Sequence, residues 1–318
     1  MQKLRWLTLS GFVLLAAMSF FTTRSAAEPG QVKLVVQGVW FREGDIENLG
    51  HCNNTIIEMK DYLIVVDANF PSGARLVMET VKRISPKPVK YVFDTHHHGD
   101  HAYANALWTK EGATTLAFPG VADEMKRLEP GRWREASKER KDVADMHQAG
   151  PEPPQQLIDK SPLVLKDGTR EVRFYHFGWG HTRGDGFVYL PQDKLLITGD
   201  TVVNGPHNWT ADANLGNWPK VIRQAQLLNP VHVLPGHGPS GGPELLEGQV
   251  RFLNDLRRAV DNAIKSGKKF EEVLPEPGKT TITLPKDDKN WVGNGLATQV
   301  KDTWEEIVQK KPHGDIVQ

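Results

Sequence analysis

The sequence predicts an α/β fold in which two β-sheets pack against each other with helices outside. Two observations predict it. Strand-like and helix-like stretches alternate in two successive halves of the chain. Four apolar runs each lead into polar, ligand-type side chains: Tyr62 to Val66 before Asp67, Val89 to Asp94 before the histidine segment that starts at His96, Leu195 to Ile197 before Asp200, and Val231 to Leu234 before His237. Buried strands whose carboxyl ends carry polar groups fit such a fold, because loops at strand ends gather side chains without unpairing a sheet. At 318 residues, the chain is long enough for one large domain with an ample core, or two small ones.

In chain order, Lys3 and Arg5 precede the apolar run Leu7 to Phe21, which is interrupted by Thr8, Ser10, Gly11 and Ser19. The small residues up to Ala27 then suit cleavage. Residues 1–27 are therefore expected to be a secretory signal cut near Ala27, which implies a periplasmic or secreted protein. The run is short for a membrane span, so no stable membrane insertion is expected after cleavage. Val32 to Arg42 and Thr55 to Asp67 have strand character. Gly73 to Ile84 is a helix closed by Pro86 and Pro88. Val89 to Asp94 is rich in β-formers, and Ala102 to Trp108 begins a helix.

Glu124 to Met146 is heavily charged with helical character and is followed by Gly150-Pro151-Glu152-Pro153-Pro154. This 124–154 insertion either lines an active-site mouth or is a solvated helix and loop. Gly168 marks a turn between strands at Leu163 to Lys166 and Glu171 to Phe177. Pro243 to Lys265 places Leu245, Leu246, Val250, Leu253 and Leu256 along one helical face, with Gly267 as its stop. Ala297 to Lys310 is a second amphipathic helix, with Val300, Trp304, Ile307 and Val308 expected to face inward.

Basic and acidic residues balance at 39 each. With no long basic stripe, the chain is not expected to bind nucleic acid. Cys52 is the one cysteine, so it cannot form an internal disulfide.

The chemistry is concentrated in Thr95-His96-His97-His98-Gly99-Asp100-His101. On an extended segment, His96 and His98 leave from the same face. Gly99 is expected to let the backbone bend, so that Asp100 and His101 point back toward the same centre. His97, between the two, should face away. With His181 after Gly180, and with Asp200 and His237, the chain supplies imidazole and carboxylate ligands suited to a borderline divalent ion such as zinc.

This ordered set resembles the metallo-β-lactamase superfamily, with its H-x-H-x-D-H followed by His, Asp or Cys, and His. The resemblance implies a four-layer αββα sandwich of two mixed β-sheets and a single hydrolase domain over residues 28–318 ending in a helical extension. It also implies two Zn2+ ions; the same donors accept iron or manganese. One ion would take His96, His98 and His181. The other would take Asp100, His101 and His237, with Asp200 between them. Asp67 would support the site and bind no metal. The implied reaction is attack of a metal-bridging hydroxide on a carbonyl of an ester, lactone, thioester or lactam in a small-molecule substrate, with Asp100 orienting the nucleophile.

Departures from the family pattern sort its branches. Asp200 stands where cysteine-type zinc β-lactamases have Cys, and His98 stands where diiron flavoproteins have Glu. Asn208-Trp209-Thr210-Ala211-Asp212-Ala213-Asn214-Leu215-Gly216-Asn217-Trp218-Pro219-Lys220 resembles a loop of the β-lactamases, in which Asn208 would hold the developing oxyanion. Their substrate-carboxylate lysine, however, is replaced here by Val203. A class B-like β-lactamase, a mononuclear iron sulfur dioxygenase and a non-catalytic metal-binding protein are the alternatives. Trp179, Trp209 and Trp218 either floor a substrate pocket or pack in the core.

Overall fold

The computed structural model describes residues 30–293 and 295–316; the expected secretion signal lies outside them. Val32 to Arg42 is not one strand but a hairpin. Strand β1 (Val32–Val36) turns through Gln37 and Gly38 into β2 (Val39–Arg42), and Gly38 adopts φ 73° at the turn. After a short helix α1 (Ile46–Leu49), β3 (Asn54–Glu58) and β4 (Leu63–Val66) divide the next run in the same way.

Helix α2 (Pro71–Ile84) then crosses to β5 (Val89–Phe93), parallel to β4. Two short helices, α3 (Gly99–Ala102) and α4 (Asn105–Lys110), lead to β6 (Thr114–Ala117). The charged insertion forms α5 (Pro119–Glu139) and α6 (Lys141–Ala144) before β7 (Gln156–Leu157). These strands make one mixed seven-stranded sheet in sequence order.

The second sheet begins with β8 (Leu163–Lys166), β9 (Glu171–Tyr175), β10 (Phe187–Leu190) and β11 (Leu195–Ile197), each antiparallel to the one before it. Helix α7 (Trp218–Gln226) carries the chain over to β12 (His232–Leu234), parallel to β11. The long α8 (Glu244–Lys265), the short α9 (Phe270–Val273) and α10 (Leu296–Gln309) complete the chain. No helix among the described residues is long and apolar enough to cross a membrane.

Side-chain alternation along the strands explains the layering. Ile57, Ile64, Val66 and Phe93 of the first sheet meet Phe174, Val188, Leu195 and Leu234 of the second in one core. Ile56, Leu63, Val65 and Val92 point the other way, onto α2 and Trp108 of α4. Leu196 and Val233 face α7, α8 and α10. The result is the αββα order. Fully burying each large aliphatic side chain stabilises the fold by roughly 1.5–3 kcal/mol.

Two expectations change. Val308 is 55% exposed: at 100° per residue it lies about 80° around the helix from Val300, off the buried stripe. The insertion is not a solvated helix, since α5 buries Val121, Met125, Leu128, Glu129 and Trp133.

Candidate metal centre

The strand ends meet at one edge of the sandwich. Asn53 ties the sheets there: its amide donates to the carbonyls of Pro235 (2.9 Å) and Gly238 (2.8 Å) just past β12. Asp67, one residue beyond β4, adopts φ 69° and accepts the Thr95 N–H at 2.8 Å. This fixes the start of the histidine segment. Gly99 does not act through a bend. It starts α3 without a left-handed φ, and a Cβ there would lie 2.8 Å from both Phe70 and Tyr103. Close approach is what requires glycine.

The histidine segment, with His181, Asp200 and His237, forms two adjoining groups. In the first, His98 Nδ1 lies 3.0 Å from His96 Nε2 and 3.2 Å from His181 Nε2. In the second, Asp100 Oδ2 lies 3.4 Å from His101 Nε2 and 3.1 Å from His237 Nε2. Asp200 faces both. Its carboxylate is 4.0 and 3.9 Å from His96 and His181, and 3.3 and 3.2 Å from His101 and His237. The seven side chains proposed as ligands from the sequence thus lie side by side in space.

The arrangement fits cations better than protons. Bonds of about 2.0–2.2 Å to a tetrahedral ion put its ligand atoms roughly 3.3–3.6 Å apart, close to the spacings here. His101 Nε2 and Asp200 Oδ1 are buried without a hydrogen-bond partner, an orphaned pair that a cation between them would satisfy. Three imidazoles are held from behind: His96 Nδ1 by Thr95 Oγ1 at 3.1 Å, His101 Nδ1 by Asp67 at 2.9 Å, and His98 Nε2 by Asp212 at 2.7 Å. Such contacts fix the ring orientation and tautomer of a metal-binding histidine. Asp185 anchors the loop of His181, accepting the N–H groups of Gly180, His181 and Thr182.

The two groups differ electrostatically. Burial, then His101 and His98, hold His96 well below the usual imidazole value, and burial followed by His98 takes His181 down to about 3. His96 and His181 are therefore neutral and ready to donate lone pairs. In the second, burial is outweighed by Asp200 and Asp100, which raise His237 to about 9. Burial is likewise outweighed at Asp100 and Asp200, where His101 and His237 hold both carboxyls below their ordinary range. A cation entering there must displace protons.

Asn208 sits apart from these contacts. Its amide oxygen accepts from Gln249 Nε2 at 2.5 Å, and its NH2 group reaches the Gly205 carbonyl at 3.5 Å. His97 is fully buried beside Asp212 and Glu129. Trp218 packs in the core and against the His181 ring, whereas Trp209 is half exposed. Val203 is wholly buried.

Two site residues went unread in the sequence. Asp212 holds His98, and Arg132 of α5 grips Asp212 with both guanidinium nitrogens at 2.7 Å. The Asp-Ala-Asn stretch was a signal for Asp212. Nothing local marks Arg132.

The family model of the metallo-beta-lactamase superfamily matches residues 48–237. A metallo-beta-lactamase type 2 of Bacteroides fragilis is 31% identical over 107 residues, 32% of this chain and 42% of that protein. Its match therefore spans less than half of the relative. The metallo-beta-lactamase IND-1 of Chryseobacterium indologenes is 25% identical over 183 residues, 56% of this chain and 67% of that one. The crystal structure of the metallo-beta-lactamase FIM-1 from Pseudomonas aeruginosa, in a mono-zinc form, superposes with a TM-score of 0.57 at 23% identity, covering 72% of this chain and 97% of that one. With its two stacked sheets and its His/Asp cluster, the chain belongs to the metallo-beta-lactamase superfamily, a family of metal-dependent hydrolases.

Proposed function

We propose that the chain is an exported dinuclear zinc hydrolase acting on the carbonyl of a small ester, lactone, thioester or lactam. The observation that carries this reading is Asp200, one carboxylate facing both donor groups at once. His96, His98 and His181 would hold one ion, Asp100, His101 and His237 the other, with Asp200 shared. Held there, such ions would lower the pKa of a bound water from about 15.7 to about 7 and would polarise a carbonyl.

The chain's own groups do the rest. Asp100 is the more exposed of the two carboxylates, at 18% against 6%. It can therefore orient the attacking water and pass its proton to the leaving group. Asn208 has its amide oxygen occupied by Gln249. That leaves its NH2 group, which reaches the Gly205 carbonyl at 3.5 Å, as the donor for a developing oxyanion. A lactamase reading has support from the names of the relatives and from the 208–220 loop. Against it, Val203 is buried and apolar where a carboxylate-binding lysine would stand.

Four measurements test this reading. Turnover of nitrocefin, lactones and thioesters is compared on one metal-quantified preparation, and lactone or thioester turnover is expected to exceed nitrocefin turnover. His98→Ala should lose one ion per chain and nearly all activity, whereas full activity in a verified metal-loaded variant contradicts the proposal. Asp200→Asn should lower metal content, and two tightly held ions with an unchanged rate count against the shared carboxylate. N-terminal sequencing of exported protein checks the cut near Ala27.

A further inference from the structure

Helix α10 and the turn after it lie beyond the residues matched by the family model, yet they hold the loop that carries Asp212. This loop, residues 208–216, is irregular backbone, so its polar groups need partners from elsewhere. The C-terminal segment supplies them. His313 Nδ1 donates to the Ala211 carbonyl at 2.7 Å, and the Gly314 N–H donates to the Ala213 carbonyl at 3.0 Å. Asp302 accepts the Thr210 hydroxyl at 2.6 Å, and Glu306 accepts the N–H groups of Leu215 and Gly216 at 2.8 and 2.7 Å.

Asp212 is thus bracketed by two held carbonyls. The approach is tight, since a Cβ on Gly314 would lie 2.5 Å from the Asp212 carbonyl oxygen. Asp302, Glu306 and His313 are each more than nine-tenths buried, so these contacts are shielded from competing water.

The geometry points to the segment 295–316 as a positioning element for the metal centre, with His313 as its pivotal residue. By fixing the backbone on either side of Asp212, it sets the Asp212 carboxylate 2.7 Å from His98 Nε2 and thereby aims His98 Nδ1 at its ion. The inference rests on the reading of His98 as a metal ligand. Loosening the loop lengthens a charge-assisted bond behind a ligand, and disrupting such a partner typically costs about 10–100-fold in metal affinity or activity.

The test uses full-length protein substituted with cobalt, comparing wild type, His313→Ala and His313→Asn. In His313→Ala, the visible cobalt bands should shift, one ion should bind about tenfold more weakly, and kcat should fall about tenfold with KM little changed. His313→Asn, whose amide can still donate to the Ala211 carbonyl, should restore all three. A folded His313→Ala protein with wild-type bands, affinity and kcat overturns the inference. If His313→Ala does not fold, Thr210→Val takes its place, removing the contact to Asp302. It should move the same bands in the same direction, and wild-type bands and affinity overturn the inference. The underlying reading fails separately, through retention of both ions by His98→Ala.

Discussion

Asp67 and His101 are coupled across the end of the first sheet: Asp67 Oδ2 lies 2.9 Å from His101 Nδ1, while Oδ1 takes the Thr95 N–H. One carboxylate therefore orients a candidate ligand and fixes the backbone entering the histidine segment. It does so from φ 69°, a left-handed conformation that asparagine tolerates better than alanine. Asp67→Asn should fold normally but bind the ion held by His101 about 10–100-fold more weakly. Asp67→Ala should add a loss of about 1–2 kcal/mol in stability. Metal retained after dialysis against a weak chelator, together with urea unfolding, separates the two effects.

Gly236 has no room for a side chain. A Cβ there would lie 1.9 Å from Asp200 Oδ1 and 2.7 Å from the Gly199 carbonyl carbon. Gly236→Ala should destabilise the protein by about 1–3 kcal/mol and displace Asp200 from the position that faces both donor groups. Elemental analysis is expected to show reduced metal content in the folded fraction; unchanged content would mean that Asp200 accommodates the methyl group.

His51 is buried beside Arg42 and Arg140, and burial followed by these two charges lowers it from 6.5 to about 4. Between those values the unfolded chain binds a proton that the folded chain refuses, so stability present above pH 6.5 is lost as pH falls toward 4. With metal removed from both proteins, His51→Gln should show a smaller drop in Tm from pH 7 to pH 5 than wild type. The glutamine amide keeps a contact with Ser72, the present partner of His51 Nε2 at 2.8 Å. An identical drop in both proteins contradicts the assignment.

Cys52 is wholly buried, and burial pushes its thiol up to about 12. Reactivity toward disulfide reagents requires exposed thiolate. Native protein should give no colour with such a reagent at pH 8, and unfolded protein should give one equivalent from its single cysteine. Reaction of the native protein would reveal a local opening at the end of the first sheet.

The sequence by itself determined most of the buried strands, the candidate ligands and their order along the chain. Apolar runs such as Leu63 to Val66 and Leu195 to Ile197 are local patterns, and each announces both a buried strand and the polar residue beyond it. The order of the four layers came from resemblance, and periodicity resolved neither the β1–β2 and β3–β4 hairpins nor β6, β7 and β10. What only the tertiary structure decided is which residues stand behind the ligands. His98 meets Asp212 from 114 positions away, and Arg132 reaches Asp212 over 80. Such pairings arise when α5, the 208–216 loop and the C-terminal turn pack over one edge of the sandwich. Hydrophobic periodicity records which face of a segment is buried, and it carries no information about which distant side chain that face will touch.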